Sequence, residues 1–175
     1  MTSSDSQQWV IAEAKQIPYG HPYQTIRQRI RKVRNTILAN WAFSCPLNGL
    51  RILFHRMRGV HIGKGVYIGR YCFLDNMHPE YIYIYDGASI NAQCMLLTHF
   101  NPFEEWKGIF NAEVKPVIIK PHAIIAVRCT IVPGVTIGDH AVVSSGMTIE
   151  KSVADRHMVR QATKIEKIDL TGLMA

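Results

Sequence analysis

Apolar positions in the C-terminal half of the chain recur every six residues. The segment IKPHAIIAVRCTIVPGVTIGDHAVVSSGMTI, Ile119 to Ile149, places Ile119, Ile125, Ile131, Ile137, Val143 and Ile149 six apart. Four places after each start stands a residue of small or modest size: Ala123, Cys129, Val135 and Ala141, with Met147 the larger exception. A period of six is neither the 3.6 of a helix nor the alternation of a strand, and it signals a repeat. A coil with three flat sides explains it. Each hexad supplies a short strand and a corner, the aliphatic residue points inward, and the residue four places on fills a tighter inward spot. The residue after the aliphatic one falls near the corner, where φ > 0 favours Gly; Gly138 is expected there for that reason. Three hexads make one turn, and stacked turns pair as parallel strands around a continuous core.

The count extends upstream. Ile62, Ile68 and Leu74 predict one turn and Ile84, Ile90 and Leu96 a second, with four extra residues around Met77–Glu80 between them. Twenty-two residues separate Leu96 from Ile119, so a loop leaves the coil over roughly 98–116. Before the repeat, Ile26, Ile30, Val33, Ile37 and Trp41 recur at helical spacing, with Arg27, Arg31 and Arg34 on a different face. This predicts an amphipathic basic helix whose apolar face covers the open end of the coil. A second short helix follows Pro46 and is expected to bury Leu47, Leu50, Leu53, Phe54 and Met57. A further helix is expected around residues 7–16. The division predicted is a helical basic segment over 1–58, a coil over 59–153 with its loop at 98–116, and a tail over 154–175.

Composition narrows the function classes. The chain has 175 residues, 47% of them hydrophobic, enough for one domain. No apolar run is long enough to span a membrane, and the opening MTSSDSQQ lacks the apolar stretch of a secretory signal. Cys72, Cys94 and Cys129 fall on small inward positions and read as fillers, which fits a cytoplasmic setting. The net charge of +7 belongs to residues 1–61, which carry nine Lys/Arg against Asp5 and Glu13, while the remainder is balanced. The basic face admits a peripheral contact with an anionic membrane. Aromatics do not interleave with the charges, so no nucleic-acid partner is expected. His61, His78 and His99 show no recognisable ligand spacing, and no metal is expected.

The pattern PxxIxxxxxIxxxxTIxPGVTIGDxAVVxxGxxIxKxV at Pro116–Val153, and above all IVPGVTIGDHAVV at Ile131–Val143, resembles the hexapeptide-repeat acyltransferases. The similarity is greatest to the maltose/galactoside O-acetyltransferase-like and polysaccharide O-acetyltransferase branches, and ILFHRMRGVHIGKGVYIG at Ile52–Gly69 resembles the entry of that branch. The resemblance implies an all-β main domain built as a left-handed parallel β-helix of about four turns with an extruded loop, preceded by N-terminal α-helices. It also implies a homotrimer with acetyl-CoA between neighbouring coils and a saccharide acceptor, and the basic N-terminal helix admits a lipid-linked one.

The resemblance also implies roles for single residues. His99, just before the extruded loop, matches the general base, and imidazole is suited to partial removal of a hydroxyl proton. Asp75 and Asn76 match an acceptor-contacting position that is Asn in the family. Val127 and Ser145, on corners 18 residues apart, match the grip on the CoA thiol arm. Lys151 matches a following basic residue, and Lys164 or Lys167 matches a phosphate partner in the C-terminal segment. Ile124 and Ala126-Val127-Arg128 depart from the family's usual Trp and Gly-Ala-Gly. Two alternatives therefore stand beside an O-acetyltransferase: a non-catalytic trimeric scaffold in a glycan pathway, and an N-acetyltransferase of an amino sugar.

Overall fold

The computed structural model describes residues 9–19 and 25–161. Two helices, α1 (Ile26–Ser44) and α2 (Asn48–Arg58), precede a coil of short parallel strands. Three parallel sheets form its flat sides: 61–62, 82–84, 117–119 and 136–137; then 67–68, 89–90, 124–125, 142–143 and 158–159; then 73–74, 95–96, 130–131 and 148–149. Equivalent hexad positions stack, with Ile62 on Ile84, Ile84 on Ile119, and Ile119 on Ile137. The aliphatic positions and small positions of the repeat form one core, in which Ile68, Ile90, Ile125, Cys94, Cys129 and Ala141 are fully buried. Met147, the oversized filler, is only partly buried and packs against the end of this core.

The corners hold a finding about glycine. Positive φ occurs at Gly65, Gly87, His122 and His140 in one file and at Tyr71, Gln93, Arg128 and Gly146 in another, but not at Gly138. Gly138 is required for a different reason from the one expected. A Cβ there would overlap the backbone of Ala154 and Asp155 in the next coil, just as one at Gly69 would overlap Ala92. Close stacking of coils, not a left-handed backbone, selects glycine after the aliphatic residue.

The helices also pack the other way round from the expectation. In α1 the buried residues are Asn35, Leu38 and Ala42, while Ile26, Ile30, Val33, Ile37 and Trp41 are exposed. In α2 Arg51, His55 and Arg58 are buried, Leu47, Leu50, Leu53 and Met57 are exposed, and Phe54 is half-buried. The backbone direction of the coil explains this. First-turn N–H groups, such as those of Gly63, Gly69 and Asp75, donate to carbonyls of the second turn, so the strand-end carbonyls of Ile62, Ile68 and Leu74 face the open end. An apolar face would leave those acceptors unpaired. Instead each flat side receives an arginine. Arg56 donates to Ile62 O (2.9 Å), Arg51 to Ile68 O (2.8 Å) and Arg58 to Leu74 O (2.8 Å). Helix ends follow ordinary rules: Thr25 and Gln28 form a capping box on α1, and Gly59 closes α2 at φ 105°.

The expected helix near residues 7–16 is absent from its described part. Residues 9–14 are extended or irregular, and Lys15–Gln16 is a strand. Trp9 anchors this segment against Tyr85, with ring centroids 4.8 Å apart, and Tyr83 Oη accepts a hydrogen bond from Ala12 N–H (2.8 Å). The strand 15–16 pairs antiparallel with 113–114, which pairs with 99–100. A small sheet thus ties the N-terminal segment to both ends of the extruded loop. No helix among the described residues is long and apolar enough to cross a membrane.

Candidate active site

The loop leaves the third flat side after Leu96, directly above the place where the first turn ends at Leu74. This stacking brings Asp75 and Thr98 together, and His99 follows on the first strand of the loop. Asp75 is 1% exposed, and all its contacts are internal. Its Oδ1 accepts from the N–H groups of Met77 (2.8 Å) and His78 (3.3 Å). Its Oδ2 accepts from the Thr98 N–H (3.0 Å) and hydroxyl (2.8 Å), and lies 2.5 Å from His99 Nδ1.

Burial on its own would raise the Asp75 pKa. The hydrogen bond and charge of His99, with the Thr98 N–H and hydroxyl, outweigh it and hold the carboxyl well below the usual carboxylate range. Asp75 is therefore an acceptor-only carboxylate, and the Nδ1 that meets it carries the proton. In the neutral ring Nε2 then holds the lone pair and is the basic nitrogen. The His99 side chain remains 22% exposed. His78 packs edge-on against it, ring centroids 5.6 Å apart.

Asn76 is also turned inward: its Oδ1 accepts from Arg58 (2.6 Å). The same guanidinium donates to the Asp75 carbonyl (2.9 Å), so the arginine that closes the coil end also fixes the chain on both sides of the carboxylate. Sequence reasoning placed Asp75 and Asn76 against an acceptor; the structure joins Asp75 to His99 and Asn76 to Arg58. It also adds Thr98, Arg58 and His78, which the hexad count could not flag because their partners lie on other turns. Beside His78 and Asn76 opens a polar recess of about 180 Å³, lined also by Lys15, Arg31, Lys32 and Glu80. Arg31 is paired with Glu80 at 2.5 Å.

Val127 and Ser145 occupy stacked, exposed corners, linked by the Gly146 N–H donating to Val127 O (2.9 Å). Among the described residues no hydrogen bond engages the backbone N–H of Val127 or of Ser145. Unengaged amides on exposed corners are of the kind that a carbonyl-bearing chain lying along the corners could use. Arg128, beside them, donates to Gln93 Oε1 (2.8 Å). Lys151 is exposed at the far end of the coil, in a shallow groove with Glu150 and Val159. Lys164 and Lys167 lie outside the described residues. No group of His, Cys, Asp and Glu among the described residues is placed to hold a metal ion.

No family model matches the sequence. YvoF of Bacillus subtilis (strain 168), a protein named for an inferred acetyltransferase activity, is 30% identical over 136 residues, 77% of this chain and 75% of that protein. A hexapeptide-repeat containing acetyltransferase of Vibrio cholerae O1 biovar eltor, solved with acetyl coenzyme A, superposes with TM-score 0.56 at 16% identity, covering 82% of this chain and 90% of its own. A galactoside acetyltransferase solved with coenzyme A gives 0.55 at 17% identity, covering 77% and 78%. A maltose O-acetyltransferase of Clostridium difficile 630 gives 0.53 at 16%, covering 77% and 83%. These similarities, with the six-residue register and the stacked parallel coil, show that the chain belongs to the hexapeptide-repeat acetyltransferases and has their left-handed parallel β-helix fold.

Proposed function

We propose that the protein transfers acetyl from acetyl-CoA to a hydroxyl of a sugar, in a surface polysaccharide or its precursor, with His99 as general base. The observation that carries this reading is the Asp75–His99 pair on the strand that opens the extruded loop. An unactivated sugar hydroxyl is a poor nucleophile near neutral pH. His99 Nε2 takes its proton as the oxygen attacks the thioester carbonyl. Asp75 holds the ring in the tautomer that leaves Nε2 basic, and it balances the charge of the imidazolium that forms. The proton then passes from Nε2 to the departing thiolate, which leaves as CoA thiol. No covalent acyl-enzyme is needed.

Acetyl-CoA supplies the activated acyl group. The residues assigned to it are Val127 and Ser145, whose backbone amides are unengaged among the described residues and suit the amide carbonyls of the thiol arm, and Lys151 with Lys164 for its phosphates. In the same reading the chain works as a cytoplasmic homotrimer, and the acceptor enters the recess beside His78 that Lys15 and Arg31 line. That recess supports a polar acceptor of saccharide type.

The test is acetyl transfer from acetyl-CoA to a panel of sugar hydroxyl and amine acceptors, with His99→Ala as the comparison. The expected loss is roughly a hundred- to ten-thousand-fold in kcat, with the oligomer and CoA binding retained. Turnover unchanged in that variant removes His99 from the mechanism. Transfer confined to amines makes the enzyme an N-acetyltransferase. Failure of the native chain to bind CoA leaves the scaffold alternative.

A further inference from the structure

The two helices turn their apolar residues away from the coil, and something else must meet that surface. On α1, Ile26, Ile30, Val33, Ile37 and Trp41 form one exposed stripe along about four turns of helix. Trp41 packs on Phe54 of α2, ring centroids 5.7 Å apart, and α2 adds Leu50, Leu53 and Met57 to the outward side. An exposed apolar surface of this extent marks an interaction site.

The charges decide what kind. By the 100° turn of a helix, Arg29 flanks the stripe on one side and Arg27 and Arg34 on the other. A shallow groove among Ile30, Val33 and Ile37 is bounded by Arg29 and Arg34. No Asp or Glu occurs anywhere between Glu13 and Asp75, so nothing on either helix offsets these cations. A second copy laid on the stripe would bring like charges together, at a cost. A bilayer containing anionic lipid accepts the stripe in its acyl boundary and the guanidinium groups at the phosphates above it.

We infer that α1 and α2 form a docking surface for an anionic membrane, lying in the interface with Ile30, Val33, Ile37 and Trp41 buried in lipid and Arg27, Arg29 and Arg34 at headgroup level. Docking also brings the recess beside His78, which α1 lines through Arg31 and Lys32, to the depth of lipid headgroups. That link to an acceptor carried on a lipid rests on the proposed activity; the docking itself does not.

The experiment is co-sedimentation of the full chain with vesicles of phosphatidylcholine alone or mixed with phosphatidylglycerol, alongside its mass by sedimentation velocity. The native chain is expected to pellet with the mixed vesicles and to be released by salt. Arg29→Gln and Arg34→Gln each lower the partition coefficient roughly fivefold, as expected for one cation near an anionic surface. Combined substitution of Ile30, Val33 and Ile37 by Ser abolishes binding while the fold persists, because these side chains touch no core. A native chain that stays in the supernatant with mixed vesicles at low salt overturns the proposal, as does undiminished binding of the serine variant. If the serine variant instead loses oligomeric mass and the native chain ignores vesicles, the face is a subunit interface and the proposal fails. CoA binding, measured separately, fails or holds with the acetyltransferase reading and leaves this one standing.

Discussion

Asp75 Oδ2 and His99 Nδ1 lie 2.5 Å apart, although they are 24 residues apart in sequence and sit on different turns of the coil. The carboxylate has no exposed surface to offer a ligand, and its contacts to Met77, His78 and Thr98 are all backbone or hydroxyl donors. In the proposed mechanism its role is to hold the imidazole. Asp75→Asn keeps the shape and the size, removes the charge, and allows the amide to donate toward Nδ1, which selects the wrong tautomer. The expected outcome is a fall in kcat on the order of a hundredfold or more with acceptor KM little changed. Steady-state kinetics with varied acceptor separates this from a contact to substrate, which would raise KM.

The buried guanidiniums carry the second prediction. Arg58 donates to Leu74 O, Asp75 O and Asn76 Oδ1, and burial lowers its pKa to about 10 while the Asp75 charge opposes the shift, so it stays cationic. Arg58→Met leaves these acceptors at the coil end without a donor. The expected loss is about 2–4 kcal/mol of unfolding free energy. Leu53→Ser, on the exposed side of the same helix, is expected to change stability by less than ~0.5 kcal/mol. Urea unfolding of both variants checks the inverted packing: a larger loss at Leu53 than at Arg58 would contradict it.

His55 sets an acid limit to stability. It is buried between Arg51 and Arg58, and burial first, then the charges of Arg58 and Arg51, push its pKa from 6.5 down to about 3. The unfolded chain therefore takes up this proton near pH 6.5, while the folded chain refuses it until far lower pH. Stability from this group is complete above about pH 6.5 and declines as pH falls toward 3, by about 1.4 kcal/mol per pH unit. His55→Gln, which does not ionise, is expected to flatten the slope between pH 7 and pH 5 in unfolding titrations, a window above the titration of most carboxylates.

Two glycines distinguish stacking from backbone conformation. Gly69→Ala sets a Cβ into the backbone of Ala92 and is expected to cost about 1–3 kcal/mol or prevent folding. Gly146→Ala meets open space and bears only the left-handed φ of 74°, for about 1–2 kcal/mol. Thermal unfolding of the pair should rank Gly69 as the more sensitive site; the reverse order would place the cost in φ instead.

How much was legible in the sequence differs from residue to residue. His99 was expected only through the family resemblance, which places a His where the break in the hexad count marks the chain leaving the coil. The resemblance marked the position of Asp75 but not its pairing with His99, because that partner is fixed by the stacking of Leu74 on Leu96 and not by local sequence. Thr98 carried no signal of its own. The N-terminal strand at Lys15–Gln16 was missed because its reason is a pairing with Glu113–Val114, about a hundred residues away.

The sequence by itself determined the coil. Burial of one aliphatic and one small residue per hexad is a local requirement repeated along the chain, so Ile119 to Ile149 specifies its register without reference to anything distant. Only the tertiary structure decided which faces of α1 and α2 turn inward. Amphipathicity records that a helix has two faces, and the usual inference buries the apolar one. Here the surface to be covered is a row of backbone carbonyls, which need N–H donors, so Arg51, Arg56 and Arg58 go to the coil and the isoleucines face out.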